Sequence, residues 1–454
     1  MSGRTLVAQL GPTLRLASPI MAGQFGQMLM GLTDTLFLGH VGPVPLAAVA
    51  LTNIVIITLY VFGIGVLSSA GVLASQAHGA GLHETKVQVF RSAVWLSVFV
   101  GLSLSLLALG CVPALPALGA APEVEQAARI YFVPMAWSLL SMTGFTGVKT
   151  FCEAIGRPTA PMVILYGGVF INALVNWLLV FGNCGFPRLG ILGSGVATLV
   201  SRSAVMVGTT VYALRVNRLG ADALFPWRLQ FKNLGSLLIL GLPVGFQLLS
   251  EVGCFNCAAL MMGWMGTNAL AAHQIAINCA ATTFMFPLGV SQAASIRIGH
   301  AIGEFRFQAI RTIGLGAIAA AATIMVVFAA IYIVGRTFVA HLFTDDSEVV
   351  ALASSLLVVA GIFQVVDGIQ VAAAGCLRGM ADVRAPMIFS YVIYWAVAIP
   401  LCYCCAFLFG WGPVGIWVGL AFALALAALI LGTRFYWLTR PEATITRLVG
   451  EAVV

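Results

Sequence analysis

The chain has 454 residues, of which 61% are apolar and only 8% charged, and its mean hydropathy is +1.03. Twenty-two basic and fifteen acidic side chains are too few to cover a soluble core of this size, which excludes a water-soluble globular protein. The formal charge of +7 does not point to nucleic acid either, because the basic residues are scattered among loops rather than gathered on one face.

The apolar stretches run well past the roughly 20 residues that cross a hydrocarbon layer of ~30 Å. Lipid offers backbone groups no partners, so these stretches must be helices, and the alternating pattern of a membrane barrel strand is absent. Twelve spans are predicted. The first, 14–39, holds an apolar run from Leu16 to Leu38 that Arg4 and Arg15 flank, that is longer than the apolar core of a removable signal, and that is followed by no cleavage site. It carries Pro19, Gly26, Gly31 and Asp34. Spans 46–76, 90–111, 128–150, 159–183 and 190–214 follow, with Asn172 and Asn176 in the fifth and Thr198 and Arg202 in the sixth. A basic stretch with Arg215, Arg218, Arg228 and Lys232 leads to spans 234–263, 269–297, 310–340, 351–376, 384–409 and 412–437. Glu251 lies in the seventh, Gln274 opens the eighth, and Asp367 lies in the tenth. The predicted organisation is an N-lobe over 1–215, a cytoplasmic linker over 216–233 and a C-lobe over 234–454. With both termini inside, only Arg129, Arg188 and Arg336 fall on the outer side. The cytoplasmic segments take the other loop cations, Lys149 and Arg378 among them, and that asymmetry sets the orientation.

The two halves are related. Shifting residue numbers by 224 lays Pro19 on Pro243, Leu46-Ala47-Ala48 on Leu270-Ala271-Ala272, Gly65-Val66 on Gly289-Val290, and Gly79 on Gly303. A shift of 225 lays Ala160-Pro161-Met162 on Ala385-Pro386-Met387. Blocks of this kind in register mark an internal duplication. Six spans per half make both halves enter the membrane in the same direction. The expected fold is therefore all-α and polytopic, with twelve transmembrane helices in two six-helix lobes related by a pseudo-twofold axis along the membrane normal.

Asp34, Glu251 and Asp367 lie well inside apolar runs. A carboxylate at the bilayer centre costs about 2.5–3.5 kcal/mol on insertion scales, so it is kept neutral by a proton or offset by a cation or a basic partner. Arg202 is the only evident intramembrane basic residue and can pair with one acid at most. A structural ion pair therefore cannot account for all three, and an ion or proton site is the better reading. Asn172 and Asn176 share a helix face, and with Thr198 and Asp34 they offer a hard-oxygen pocket. The bland alternative is polar glue between helices.

Weaker signals are structural. Ten cysteines sit almost entirely in apolar runs and read as buried thiols rather than a disulfide frame. Cys254-x-x-Cys257 is half a zinc site with nothing to complete it. His273 reads as a helix-end histidine bonded to a carbonyl. Aromatic residues such as Phe284 and Phe363, with the methionines, form lipid-facing or core surface, some of which lines any drug cavity. No phosphate-binding loop, metalloprotease helix or nucleophile elbow is present.

The run Met30-Gly31-Leu32-Thr33-Asp34-Thr35, the run Ala271-Ala272-His273-Gln274-Ile275 and the two six-helix halves resemble the multidrug and toxic compound extrusion family, specifically its NorM-like branch. The resemblance implies an antiporter, not an enzyme, that exchanges Na⁺ or H⁺ for amphipathic, often cationic drugs, with no cofactor. It further implies that Asp34, Asn172, Asn176 and Thr198 form the cation or proton site of the first lobe, and that Glu251 and Asp367 form that of the second. No metal is implied beyond Na⁺ at these residues. Asp34, Gln274 and Asp346 fall where relatives contact drug, with Phe284 and Phe363 as further candidates. Phe363 stands where some Na⁺-using relatives carry tyrosine, which leaves the coupling ion open. The expected setting is a bacterial inner membrane with both termini cytoplasmic, a monomer in lipid with small molecules as its partners. The rival readings are a lipid-linked-precursor flippase, which wants a strongly cationic cavity, and an intramembrane enzyme, which wants paired catalytic groups.

Overall fold

The structure is a computed structural model and describes residues 3–118, 121–217 and 231–440. Of the linker expected at 216–233, residues 218–230 lie outside the described residues, while 216 closes α6 and 231–233 open α7. Helices run in order as α1 Gly3–Gly39, α2 Pro43–Gly79, α3 His83–Cys111, α4 Pro122–Ala154, α5 Thr159–Phe181, α6 Ile191–Val216 and α7 Phe231–Trp264. They continue as α8 Thr267–Gly303, α9 Phe307–Val334, the short α10 Arg336–His341, α11 Ser347–Gly379, α12 Arg384–Leu408 and α13 Gly412–Leu438. Among the described residues there is no strand.

Sequence fixes the helix ends locally. Pro43, Pro122 and Pro413 sit in first turns, where a missing N–H is not needed. α5 stops at Gly182, which takes a left-handed φ of 78°. Asp346 caps α11 by accepting from the backbone N–H of Glu348 and Val349 at 2.9 and 3.2 Å. All helices but α10 are long enough to span a bilayer, and ten of those twelve hold a strongly apolar 18-residue window. α4 is not among the ten, since it turns Ser138, Thr143, Thr146, Lys149 and Glu153 inward onto other helices. The chain is a multi-pass helical membrane protein.

Two spans differ in detail from expectation. The ninth, read as 310–340, breaks at Gly335, a poor helix former, so that its last turn becomes the separate α10. The eleventh, α12, contains wide π turns at Val392–Ala398 and Cys404–Leu408. Pro400, which has no N–H to give the ladder, lies between them.

Packing divides the chain into two compact units. One runs from Ala22 to Gly245, and the other joins the residues up to Met21 with those from Phe246 onward. The divisions thus fall inside α1 and α7, two residues past Pro19 and Pro243, and the repeat shift of 224 carries residue 21 onto 245. In the first unit α4 is central, packed on α2, α3 and α6, with α5 on α6. The α7 segment belonging to this unit crosses α2 so closely that a Cβ at Gly65 would lie 2.5 Å from the Cα of Gly245. In the second unit α11 is central, packed on α8, α9 and α13. The α1 segment belonging to it crosses α8 at Gly289, whose Cβ would meet Met21. Arg297 of α8 ties that segment down by donating to the Gln9 carbonyl at 3.0 Å, the Gln9 side chain at 2.6 Å and the Thr13 hydroxyl. Gly65 and Gly289 are repeat equivalents, so the duplicated glycine marks the same close crossing in both units.

Candidate functional site

In the first unit, α1, α5 and α6 bring Asp34, Asn172, Asn176 and Thr198 together. Asp34 is 3% exposed. Its Oδ1 accepts from the side-chain amides of Asn172 and Asn176 at 3.1 and 2.9 Å, and its Oδ2 accepts from the Thr198 hydroxyl at 2.5 Å. Asn172 and Asn176 are one turn apart, which is why both reach the same oxygen. Their own carbonyl oxygens, Oδ1 of each, are buried and have no partner. Buried polar atoms are nearly always satisfied. Two bare amide oxygens beside a carboxylate and a hydroxyl make an all-oxygen set of the kind that takes a hard cation or a proton.

Arg202 lies one turn beyond Thr198 on α6. It donates to Ser138 Oγ at 2.6 Å and interacts electrostatically with Asp34, Tyr131 and Tyr60. Tyr60 in turn shares a hydrogen bond of 2.8 Å with Thr146. Arg202 and Gln27 face a cavity of about 20 Å³ whose other walls include Met30, Met142 and Phe145. That is room for about one water.

In the second unit, Asp367 of α11 and Glu251 of α7 interact with each other. Asp367 is buried and its Oδ1 has no hydrogen-bond partner, while Glu251 also interacts with Arg378 and with the Tyr394 hydroxyl. Gln364 Nε2 and Gln370 Oε1 are likewise buried without partners, although Gln364 Oε1 accepts from Thr283. Tyr394 sits in the first π turn of α12, beside Trp395, whose indole N–H donates to Ser250 at 2.9 Å. The acid pair is thus framed by polar groups that neighbouring side chains leave unsatisfied.

The expected drug contacts are dispersed. Gln274 is exposed and donates to Asn278 at 3.3 Å. Phe284 is half-buried. Phe363 is 2% exposed, wedged edge-on between Phe255 and Trp417 with ring centroids 6.0 and 5.4 Å away. Asp346 caps α11, 21 residues before Asp367 on one helix and so roughly 31 Å from it along the axis. His273 accepts from the Trp417 indole at 3.2 Å rather than bonding to a carbonyl. All ten cysteines are free thiols, and no cluster of three or more His, Cys, Asp or Glu suited to a metal occurs among the described residues.

Some partners escaped the sequence reading. Lys149 and Arg378 were placed in loops, but Lys149 is buried and pairs with Glu153 at 3.5 Å, and Arg378 turns back toward Glu251. The signal for Arg378 is its spacing of eleven residues from Asp367, three helical turns on the same face. Tyr60, Tyr131 and Tyr394 carried no such signal.

Two related helical units crossing a membrane, each holding a buried acid among unsatisfied oxygens, define a membrane transporter rather than an enzyme. The MatE family model matches residues 19–178 and 243–404, its second match starting 224 residues after its first. The chain belongs to the MatE family. It is 34% identical over 441 residues to the probable multidrug resistance protein NorM of Mesorhizobium japonicum, covering 95% of this chain and 94% of that one. It is 35% identical over 448 residues to the NorM of Bradyrhizobium diazoefficiens, covering 96% and 94%. Its fold matches a mutant of the Vibrio cholerae MATE transporter VcmN at a TM-score of 0.86 and 19% identity, covering 95% and 97% of the two chains. It matches the eukaryotic MATE transporter AtDTX14 at 0.86 and 20% identity, covering 99% and 100%.

Proposed function

We propose that this protein is a multidrug efflux antiporter of a bacterial inner membrane, with both termini cytoplasmic, that expels amphipathic organic cations in exchange for Na⁺ or H⁺. The observation that carries the reading is the bare Oδ1 of Asp367, a buried acid that interacts with Glu251 and has one oxygen without a hydrogen-bond partner. A proton or a monovalent cation supplies what that pair lacks, and its arrival or loss changes the charge of the second unit. The set Asp34, Asn172, Asn176 and Thr198 is the corresponding site of the first unit. Coupling follows if ion and drug favour different conformations of the same chain, since each then shifts the population that the other binds. Gln274, which is exposed, is the drug contact this reading favours, whereas Asp34 is enclosed by Asn172, Asn176 and Thr198 and serves the ion.

The test is exchange in proteoliposomes. Purified protein is loaded with ethidium, and either a pH gradient or a Na⁺ gradient is imposed. Ethidium should move against its own gradient under at least one of the two and stop when the gradient collapses. Ethidium flux that ignores both gradients would overturn the antiport reading. Translocation of a polyprenyl pyrophosphate lipid instead would establish the flippase.

A further inference from the structure

A cavity of about 370 Å³ opens between α10 and the first two turns of α11. Six polar residues line it: Arg336, Thr337, His341, Ser347, Ser354 and Ser355. No acid is among them. Among the described residues Arg336 makes no ion pair or hydrogen bond, unlike Arg129, which pairs with Glu125 at 2.7 Å. Ser354 is 8% exposed, and its Oγ has no partner. Ser105, Ser194 and Ser390 are bare as well, but most serines and threonines in these helices back-bond to a carbonyl three or four residues earlier, as Ser355 does to Ala351 at 3.1 Å. The α11 N-terminus does not supply the attraction, since Asp346 already occupies its amides. The cavity therefore offers a free guanidinium, a histidine and hydroxyls, one of them buried and bare. Guanidinium and hydroxyl donors together suit a tetrahedral phosphate monoanion or diester.

The flanks decide the source of that phosphate. Val334, Phe338 and Leu342 stand 87%, 70% and 67% exposed on either side of Arg336 and His341. A short helix with cationic and hydroxyl groups on one side and bulky apolar groups on the other matches the boundary between headgroups and acyl chains. The geometry points to a binding site for the headgroup of one anionic phospholipid, its phosphate held by Arg336, Ser354 and Ser355 and its acyl chains lying along Phe338 and Leu342. The orientation proposed above puts this site in the outer leaflet, but the binding does not depend on that orientation or on antiport.

The test is native mass spectrometry of the full-length, delipidated protein titrated with phosphatidylglycerol, with glycerophosphoglycerol and inorganic phosphate as separate arms. Wild type should retain one phosphatidylglycerol more tightly than the rest. Ser354→Ala removes a hydroxyl that holds nothing in the protein, so its melting temperature should match wild type while the tight lipid is held about fivefold more weakly, the value of one hydrogen bond near 1 kcal/mol. Arg336→Gln should weaken it further, and Phe338→Ser should weaken the lipid without affecting the two water-soluble probes. Unchanged lipid binding in Ser354→Ala and Arg336→Gln overturns the site. Inorganic phosphate or glycerophosphoglycerol bound as tightly as the lipid, and unaffected by Phe338→Ser, overturns the lipid as the occupant and makes free phosphate the ligand.

Discussion

Replacing Asp34 separates its charge from its scaffolding. The carboxylate accepts two amide hydrogen bonds on Oδ1 and the Thr198 hydroxyl on Oδ2. In Asp34→Asn the new Oδ1 keeps both amides and the new amide nitrogen faces Thr198. The Thr198 hydroxyl then turns its proton to the Ser194 carbonyl, already 3.1 Å away, and accepts from the introduced amide. Only the second N–H of the introduced amide lacks a placed acceptor, beside the bare Asn172 and Asn176 oxygens, so the stability loss should stay at about 1 kcal/mol even though the charge is gone. Asp34→Ala differs. Thr198 can still use Ser194, but Asn172 and Asn176 each lose an acceptor in a closed site. Asn172 keeps Thr198 Oγ1 at 3.4 Å and Asn176 keeps the Asn172 carbonyl at 3.0 Å, so one N–H of each amide loses its acceptor, at about 1 kcal/mol or more each and roughly 2–3 kcal/mol together. The assay is thermal melting in detergent alongside ethidium exchange in proteoliposomes. Asp34→Asn should melt near wild type yet exchange at least tenfold more slowly, and Asp34→Ala should melt below both. Wild-type exchange in Asp34→Asn would reduce the acid to a spacer, and equal destabilisation of the two variants would refute the hydrogen-bond count.

In the second unit, Glu251→Gln and Asp367→Asn should each fold but lose ion-driven ethidium exchange, and Asp367→Asn should abolish any melting shift that Na⁺ or a pH change produces in wild type. A ligand at 100 times its dissociation constant stabilises by about 2.7 kcal/mol, so the shift is readable by differential scanning fluorimetry in NaCl against choline chloride. Persistence of that shift in Asp367→Asn would place the ion elsewhere. At the crossing of α2 and α7, Gly65→Ala puts a methyl 2.5 Å from the Gly245 Cα and 2.6 Å from its nitrogen, so the helices must part. The expected loss is about 1–3 kcal/mol, the usual effect of overpacking. Gly31→Ala meets nothing within 4 Å and should be neutral or stabilising by up to about 1 kcal/mol. Equal melting temperatures for the two would show that the crossing is slack.

Much of this was legible in the sequence for physical reasons. A carboxylate in an apolar run is conspicuous because lipid forbids it, and asparagines four apart on a helix must share a face, so Asp34, Asn172 and Asn176 announced themselves. What stayed hidden depended on direction in three dimensions. Lys149 and Arg378 lie near helix ends, where composition reads as loop, but long side chains lean back along the helix into the interior. Phe363 reads as a drug-facing ring until Phe255 and Trp417 are seen to enclose it. The repeat of Pro19 with Pro243 and of Gly65 with Gly289 was visible as a pattern. Its meaning, that α1 and α7 each change packing partners partway along, was not.

That exchange of helix ends has a consequence for how the chain is made. The residues up to Met21 emerge first, yet the unit they complete begins at Phe246, some 225 residues later. At about 5–20 residues per second, the start of α1 waits roughly 10–45 s for the helices it will rest on. The first unit in turn stays open until the stretch before Gly245 has been inserted. Neither half is therefore a finished folding module. A chain severed between residues 218 and 230 would give two fragments, each holding a strip of the other's interior, and they would have to assemble together in one membrane.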